Sequence, residues 1–463
     1  MLDQKSAVFL LDFDDLIWAP ICLLLLSILL YYKSKRYDNT PLKKYYLIAF
    51  YIRVLFLLFF TILSDYYFGF ADTNHYYQAV LDMTSALADD FSNIRHIYGK
   101  FELTADNPLA IYFISDPLGV TYYYMLDSTN YIAPRFALPF SYIFSKSYLA
   151  ICLCLSLWSF GGGWRIFKLF HKVYPHLEKK FAIACLFFPS ILFWSVGLLK
   201  DTICFGAVGY IAYAAYRILY ERHYGVVNLF ILLFASFLLF TIKSYIFICL
   251  LMAFLLILFL RFRESITSRV IRNIASFFLV IAGVFLFFIS LSYLTTTKES
   301  SQYSTSNILE NAKNKQMAFQ NSTIAVRSNF EGVEIQDNAY GAVFGVFLGF
   351  INTFYRPYFW DIRSVIMFFS FLEATLMTIL TIMIFRKISF NMFFTFLISE
   401  PFLLFCFSFS FVFGGFIGIS ASNFGALSRY KIPAVPFFLV ALILIMDKSK
   451  RFSPNYFFSK RFI

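Results

Sequence analysis

The chain has 463 residues, of which 60% are hydrophobic and only 14% are charged, and its mean hydropathy is +0.69. A soluble domain carries roughly a quarter of its residues as charged side chains, so this composition excludes an ordinary soluble protein. The net charge of +12 is explained by the Lys and Arg that cytoplasmic loops of membrane proteins carry, and no nucleic-acid partner is expected.

Apolar runs of about 17–25 residues recur along the chain, which is the length that crosses a bilayer as a helix. The predicted fold class is all-α, a polytopic helical membrane protein with about 11 transmembrane helices in a single integral-membrane domain over 1–463. The spans are predicted at 16–32, 45–63, 147–167, 181–199, 202–219, 226–242, 244–260, 275–294, 364–385, 391–416 and 432–446.

Basic residues set the predicted orientation, because cytoplasmic loops are enriched in Lys and Arg. The basic segment 33–44 is placed in the cytoplasm, which puts the N-terminus outside and the C-terminus inside. Two long external loops follow, about 64–146 and 295–362. The apolar stretch 132–144 is expected to be an interfacial or re-entrant helix, and 340–354 is expected to be interfacial, with a crossing helix as the alternative.

The stretch Phe187–Asp201 is apolar, contains Pro, Ser, Trp and Gly, and ends abruptly in Lys200-Asp201, after which another apolar span begins at once. Two membrane helices are therefore expected to turn around this charged pair at a water boundary, with Asp201 as the partner of Lys200 when no substrate is present. A second tight external hairpin is predicted with Lys243 at its tip.

Three charges, Arg53, Glu373 and Glu400, are predicted near mid-depth of their spans. Charges inside a membrane are costly and mark either a functional site or a buried pair. One interpretation of this buried polar cluster is a structural Arg–carboxylate pair that locks spans two, nine and ten together. The other is a substrate or proton site.

The external face is predicted to collect a rim of cations, carboxylates and tyrosines. Its members are Asp65, Asp72, Lys200, Asp201, Lys243, Arg356, Arg363 and Arg429. Arginine grips phosphate through its fork of donors, and a carboxylate can take the proton of an attacking sugar hydroxyl, so the rim suits a phosphorylated lipid that carries a sugar. The alternative is that these side chains only snorkel to the interface beside an aromatic belt.

The sequence lacks the motifs of several enzyme classes. It contains no P-loop, HExxH or GxSxG motif, which argues against ATP hydrolysis and metalloprotease chemistry. The seven cysteines lie in apolar spans without metal-ligand spacing, so they are interpreted as packing residues and no metal ligands are predicted.

Three groups of short motifs resemble those of bacterial multipass proteins of cell-surface polysaccharide assembly, a loose group that includes O-antigen polymerases and GT-C type glycosyltransferases. They are Phe188-Pro189-Ser190 with Phe193-Trp194-Ser195 and Gly197–Asp201, then Arg356–Trp360, then Arg429–Pro433. The similarity covers mainly the C-terminal two thirds of the chain.

The resemblance implies a polyprenyl-phosphate-linked saccharide as substrate, at the external face of the bacterial inner membrane, and contact with other polysaccharide assembly proteins. It implies Asp72, with Asp65, as catalytic carboxylates and the external cations as substrate-binding residues. The long acidic loop follows span two here, whereas the GT-C arrangement expects it after span one. A divalent metal cofactor is left open.

The leading functional hypothesis is a glycosyltransferase or polysaccharide polymerase that uses this lipid-linked sugar. The first alternative is a transporter or flippase of the lipid-linked saccharide, with Arg53, Glu373 and Glu400 as its polar pathway. The second is a non-enzymatic membrane scaffold within an export complex.

Overall fold

The computed structural model describes residues 9–68, 71–99, 107–113, 125, 128–264, 329–330 and 339–451, and these residues form helices without a β-sheet. Seven of the described helices are long and apolar enough to cross a bilayer, and an eighth span results if one bent pair is counted. The all-α, polytopic membrane class is thereby confirmed. The total of about 11 spans and the orientation stay predictions, and the predicted span 275–294 lies outside the described residues.

The chain divides into two compact units, unit 1 (Met1–Lys243) and unit 2 (Ser244–Ile463). The prediction of a single integral-membrane domain stays a prediction. The helices that lie wholly in unit 1 are α1 (Phe13–Ser34), α2 (Lys43–Tyr66), α3 (Asp72–Asp89), α4 (Ile94–Tyr98), α5 (Ala110–Phe113), α6 (Ile132–Ile143), α7 (Tyr148–Val173), α8 (Glu178–Ala182), α9 (Pro189–Trp194) and α10 (Lys200–Leu219).

The next helix, α11 (Val226–Glu264), begins in unit 1 and leaves helical geometry at Lys243, where φ is −147° and ψ is 77°. The helical break thus falls at the residue predicted to lie at the tip of a hairpin. A twelve-residue helix, α6, also forms where the sequence predicted one at 132–144.

Unit 1 has two ends that differ in charge. At one end, which we call the distal end, α1 and α7 begin and α2 terminates. There the hydroxyl of Ser147, which precedes α7, donates to Asp15 of α1 at 2.5 Å, and the N–H of Leu10 donates to Asp65 of α2 at 3.1 Å. At the opposite end, which we call the basic end, α1, α7 and α10 terminate while α2 and α8 begin. There Lys44 pairs with Glu178 at 2.9 Å, and Lys172 pairs with Glu221 at 2.5 Å.

The centre of unit 1 is the pair α7 and α10, which run parallel. Their backbones touch at glycines: a Cβ on Gly162 would lie 2.6 Å from the Cα of Gly206, and a Cβ on Gly209 would lie 2.6 Å from the Cα of Gly162. Small residues allow this close approach between membrane helices. No other long helix lies between α7 and α10 in the chain, and both run in the same direction. The segment that connects them must therefore lead from the end of α7 at the basic end back into the unit, to the start of α10.

That connection is a broken helix, so the predicted continuous span 181–199 is wrong. Helix α8 runs into a π-helical turn at Ile183–Phe187, the backbone is extended at Phe188, and α9 ends at Trp194. The residue before a proline is disfavoured in helical conformation, and here Pro189 follows Phe188. The next five residues, 195–199, are non-helical and buried.

The freed carbonyls of this buried stretch are capped by hydroxyls of α7 and α10. Ser159 donates to the carbonyl of Ser195 at 2.6 Å, and Ser156 donates to that of Val196 at 2.9 Å. Thr202 donates to the carbonyl of Gly197 at 2.7 Å. Irregular backbone at membrane depth persists only where protein satisfies its polar groups, and these three hydroxyls do so.

The helices of unit 2, besides the second part of α11, are α12 (Ala339–Tyr355), α13 (Val365–Phe385), α14 (Phe390–Ser399), α15 (Pro401–Ser420), α16 (Phe424–Tyr430) and α17 (Val435–Arg451). The predicted span 391–416 is interrupted, because Glu400, which precedes Pro401, is extended (φ −129°, ψ 101°). Helix α12 occupies the predicted stretch 340–354, and whether it is interfacial stays a prediction.

Helices α12 and α15 pack through glycines in the same way as α7 and α10. A Cβ on Gly418 would lie 2.7 Å from the Cα of Gly349, and the hydroxyl of Thr353 donates to the carbonyl of Gly414 at 2.6 Å. Helices α16 and α17 form the bent pair, with an angle of 71° between them. Lys431, at the start of the bend, is 1% exposed.

Candidate functional site

The two predicted catalytic carboxylates belong to neighbouring elements at the distal end of unit 1. Asp65 lies in the last turn of α2 and accepts the N–H of Leu10, and Asp72 is the first residue of α3, partly exposed. The residue after it, Thr73, exchanges a hydrogen bond of 2.9 Å with the hydroxyl of Tyr148 at the start of α7. Helix α3 is therefore anchored to the distal end.

The predicted cations Lys200 and Lys243 lie near each other, but their pairing differs from the expectation. Asp201 is 2% exposed and forms its ion pair with Lys243, at 2.5 Å between Nζ and Oδ1. Lys200, its predicted partner, donates instead to the hydroxyl of Thr129 at 2.8 Å. The pair that the sequence placed at two separate hairpin tips is thus a single buried ion pair.

The turn before α10 lies inside unit 1 and not at its distal end. The indole of Trp158 in α7 donates to the carbonyl of Ile203 in α10 at 3.0 Å, so Lys200 lies at about the level of Leu155. Helix α7 begins seven residues earlier, at Tyr148, which is about 10 Å farther toward the distal end at 1.5 Å per residue. The broken helix therefore turns inside unit 1.

In unit 2, the predicted substrate-binding arginines have different environments. Arg356 makes a bidentate ion pair with Asp361, at 3.0 and 3.2 Å, and its guanidinium lies 4.8 Å from the ring centre of Phe330 and 5.1 Å from that of Phe424. Arg429 is half-buried beside Tyr430, and Arg363 is exposed before α13. Arg356 is thus held by a carboxylate and two aromatic rings.

Arg53 is fully buried in α2 and takes serines as hydrogen-bond partners. Its Nη1 donates to the hydroxyl of Ser195 at 2.7 Å and to that of Ser159 at 3.1 Å, and its guanidinium lies over the ring of Phe205. Its Nε and Nη2 have no hydrogen-bond partner among the described residues. Arg53 therefore ties α2 to the broken helix and to α7 at one point.

The two glutamates of the predicted buried cluster lie in unit 2 with lysine neighbours. Glu400 pairs with Lys448 at 3.1 Å. Glu373 of α13 is 8% exposed and interacts electrostatically with the buried Lys431. The hydroxyls of Ser370 in α13 and Ser428 in α16, the helix that precedes Lys431, lie 3.0 Å apart. A substrate or proton role for Arg53, Glu373 and Glu400 stays a prediction.

A cavity of about 810 Å³ lies in unit 1, at the basic end, and the sequence analysis did not predict it. It is lined by α1, α2, α6, α7, α10 and α11. Within the described part of the chain, six cationic side chains face it and no Asp or Glu lines it. These cations are Lys33, Arg36, Arg165, Lys168, Lys172 and Arg217.

One carboxylate beside the cavity neutralises two of these cations. Glu221 pairs with Lys172 at 2.5 Å and with Arg217 at 3.4 Å. Burial works against the charged form of Glu221, but the hydrogen bond and charge of Lys172 and the charge of Arg217 together hold the pKa of its carboxyl below the ordinary value. Glu221 is thus ionised at neutral pH, and its negative charge is balanced by Lys172 and Arg217.

Two of the remaining cations, Arg165 and Lys168, have aromatic or carbonyl neighbours in place of carboxylates. Arg165 donates to the carbonyl of Gly161 at 3.0 Å and lies 4.0 Å over the ring of Tyr210, which itself stacks on Trp158. The ammonium of Lys168 lies 5.3 Å from the ring centre of Tyr213. Lys33, Arg36, Arg165 and Lys168 form no ion pair within the described part of the chain.

The cavity therefore has an excess of positive charge beside a stack formed by the rings of Trp158 and Tyr210 and the guanidinium of Arg165. Such a site suits an anion whose neighbouring group presents a flat or apolar face, because guanidinium forks bind phosphate and aromatic rings pack against sugars and chains. In the sequence these cations are indistinguishable from ordinary cytoplasmic Lys and Arg. The spacing of Trp158, Arg165 and Lys168 on α7 is the one local signal, since it brings aromatic and cationic side chains to neighbouring turns of one helix.

In the part of the chain that is described, no group of three or more His, Cys, Asp or Glu side chains comes together that could bind a metal ion. Comparisons of the chain with protein-family models, with curated proteins and with solved structures found no match.

Proposed function

We propose that this chain is a membrane protein that binds a phosphorylated lipid-linked saccharide and acts on it in the assembly of a cell-surface polysaccharide in bacteria. The observation that carries the proposal is the cavity at the basic end of unit 1, where four cations that form no ion pair with any described residue border a space next to stacked aromatic rings. Arg165 and Lys168 are half-buried and Lys33 and Arg36 are exposed, and a phosphate or diphosphate group would offset the mutual repulsion of their charges.

Of the activities that the sequence leaves open, the cavity favours translocation of the lipid-linked saccharide. Among the described residues no Asp or Glu lines it, so this part of the lining offers no carboxylate that could take the proton of a sugar hydroxyl. Glycosyl transfer is the second candidate, and it depends on Asp65 and Asp72 at the distal end, which is the external end if the basic end is cytoplasmic.

Binding is tested with the purified full chain in lipid nanodiscs, using a polyprenyl phosphate and the matching neutral polyprenol as probes. We expect the phosphate to bind at least about tenfold more tightly than the alcohol. Each of Lys168→Gln and Arg36→Gln is expected to weaken phosphate binding by about tenfold, because a hydrogen bond to a charged group contributes about 1.5–3 kcal/mol.

Lys179→Gln is the matched control, because Lys179 is an exposed cation at the same end that does not line the cavity. Its effect on binding is expected to stay within about twofold, as for an exposed surface charge. Equal binding of phosphate and alcohol, or an equal loss in Lys179→Gln, would contradict the proposal.

Surface glycan of intact cells separates the two activities. Under translocation, Lys168→Gln shortens or removes the surface glycan, whereas Asp72→Asn, which removes a carboxylate at the distal end, leaves it unchanged. Loss of glycan in Asp72→Asn with the protein present in normal amount, and with phosphate binding intact, would replace translocation by glycosyl transfer. Loss of glycan in neither variant would leave the scaffold hypothesis.

A further inference from the structure

Two of the cations that line the cavity lie over tyrosine rings of the neighbouring helix. The guanidinium of Arg165 on α7 lies 4.0 Å from the ring centre of Tyr210 on α10, and the ammonium of Lys168 lies 5.3 Å from that of Tyr213. The two cations are three residues apart on α7, and the two tyrosines are three residues apart on α10, so the same contact repeats along the two parallel helices. All four side chains line the cavity, and we call them the two cation–tyrosine pairs.

The ring of Tyr210 is held on both sides. Trp158 and Arg165 are seven residues apart on α7, which is about 10.5 Å of helix, and the ring lies between them, with 4.5 Å between its centre and that of the indole. The indole donates to the carbonyl of Ile203 at 3.0 Å. The hydroxyl end of the ring lies over Gly161, where an added Cβ would be 2.4 Å from the oxygen and 3.2 Å from Cζ. Gly161 thus leaves the room that the Tyr210 side chain occupies.

A tyrosine ring can fix a cation without neutralising it. The face of the ring attracts the cation through its quadrupole, whereas a carboxylate would balance the charge. Lys172 shows the contrast, because it is paired with Glu221 at 2.5 Å. An anion that binds to Lys172 must compete with that carboxylate, but an anion that binds to Arg165 or Lys168 displaces no carboxylate of a described residue. The cation–tyrosine pairs therefore suit an anion that binds and is released again.

We infer that Tyr210 and Tyr213 are positioning residues of the phosphate site, whose rings hold Arg165 and Lys168 at the cavity wall with their charges left for the ligand. Gly161 serves the same purpose, because it makes room for Tyr210. This inference rests on the proposed function and deepens it, since it names the contacts that give the site its preference for a charged headgroup. If the two tyrosines only packed α7 against α10, their loss would lower stability and would weaken charged and neutral ligands alike.

The first test removes the ring beside Arg165. Tyr210→Leu takes the aromatic face away from the guanidinium, and Tyr210→Phe keeps it. Binding to the full chain in nanodiscs is measured for a polyprenyl phosphate, the matching polyprenol and inorganic pyrophosphate. Tyr210→Leu is expected to weaken binding of both phosphate probes by about tenfold, as for a lost, partly desolvated cation–π contact, and to change polyprenol binding by less than about twofold. Tyr210→Phe is expected to keep phosphate binding within about threefold, because its ring still faces the guanidinium.

Tyr213→Leu repeats the measurement on the second pair, so the test does not depend on one variant folding. Lys168 also lies 5.8 Å from the ring centre of Tyr37, and the expected loss of phosphate binding is therefore smaller, about threefold. Tyr45→Leu is the matched control. The ring centre of Tyr45 lies 4.8 Å from the ammonium of Lys44 at the same end, but neither side chain lines the cavity. Binding of all three probes to this variant is expected to stay within about twofold.

Gly161 allows a test that leaves every aromatic ring in place. In Gly161→Ala the new methyl group displaces the hydroxyl of Tyr210, and phosphate binding is expected to fall by about tenfold as the ring leaves Arg165. The double variant Gly161→Ala with Tyr210→Phe lacks this hydroxyl, and the methyl group then meets Cζ at 3.2 Å. Phosphate binding in the double variant is expected to return to within about threefold of that of the unmodified chain. Losses that add up in the double variant would overturn the inference.

Failure of the positioning role is separable from failure of the proposed function. An equal loss of phosphate and polyprenol binding in Tyr210→Leu, or an equal loss in Tyr45→Leu, would show that the tyrosines only pack the helices. If pyrophosphate binding depends on Tyr210 as expected but a saccharide-linked lipid is neither bound nor moved, the positioning role stands and the proposed function fails. If Lys168→Gln weakens phosphate binding while the tyrosine variants do not, the cation site stands and the positioning role fails.

Discussion

Replacing Gly162 by alanine is expected to destabilise the protein by about 3 kcal/mol, because the added methyl group has no room between two backbones. It would lie 2.6 Å from the Cα of Gly206, and neither α7 nor α10 can yield without losing the contacts that Trp158 and Tyr210 make between them. We expect a lower midpoint of thermal unfolding in detergent and less folded protein by fluorescence-detected size exclusion. Leucine at this position is expected to prevent folding.

Gly161→Ala is the matched control. It places the same methyl group one residue earlier on α7, where the nearest obstacle is the hydroxyl end of the Tyr210 side chain and not a backbone. Its cost is expected to be at most about 1 kcal/mol, partly offset by the better helix propensity of alanine. Equal destabilisation by the two substitutions would show that the backbone contact of α7 and α10 is not what makes glycine necessary.

Replacing Lys243 by methionine is expected to cost about 3–5 kcal/mol, because it leaves a buried carboxylate without its cation. The side chain of Asp201 is 3% exposed and that of Lys243 is 11% exposed, so water cannot compensate either charge. The double variant Lys243→Met with Asp201→Leu is expected to recover most of the loss, since two apolar side chains often replace a buried pair at little cost. Thermal unfolding of the single and double variants measures the coupling.

The control for this pair is Lys43→Met. Lys43 pairs with Asp38 at 3.0 Å, but both side chains are about half-exposed, so the expected cost is below about 1 kcal/mol. If Lys43→Met and Lys243→Met shift the unfolding midpoint equally, or if the double variant is worse than the single one, burial of the Lys243–Asp201 pair is not what stabilises it.

The sequence was sufficient for the fold class, because long apolar runs have one physical solution in a bilayer. It also located the helical break at Lys243 and the helix at 132–143, where charge and apolar length are local signals. It failed at the broken helix before α10. An apolar stretch with one proline is predicted as a membrane-spanning helix. The hydroxyls that hydrogen-bond to its non-helical carbonyls belong to Ser156 and Ser159, far away in the chain.

The candidate site was harder to predict for the same reason. Glycines 161–163 are visible as a run, but nothing in the sequence indicates that α10 is their partner or that the two helices are parallel. The cations of the cavity come from three helices, α1, α7 and α10, and from the turn after α1, and each resembles an ordinary residue of a cytoplasmic loop. Pairing of Asp201 with Lys243 rather than Lys200 depends on how α11 packs, which periodicity does not encode.

Arg53 has a consequence for how the protein is made. Its two serine partners, Ser159 and Ser195, follow it by 106 and 142 residues. At a translation rate of about 5–20 residues per second, α2 leaves the ribosome roughly 5–30 s before both partners exist. An arginine in the centre of a span costs about 2.5–3.5 kcal/mol to insert alone. Until both serines are made, the apolar side chains of α2 alone offset this cost, so a chain truncated before Ser159 is expected to hold this helix in the bilayer less stably than the full chain does.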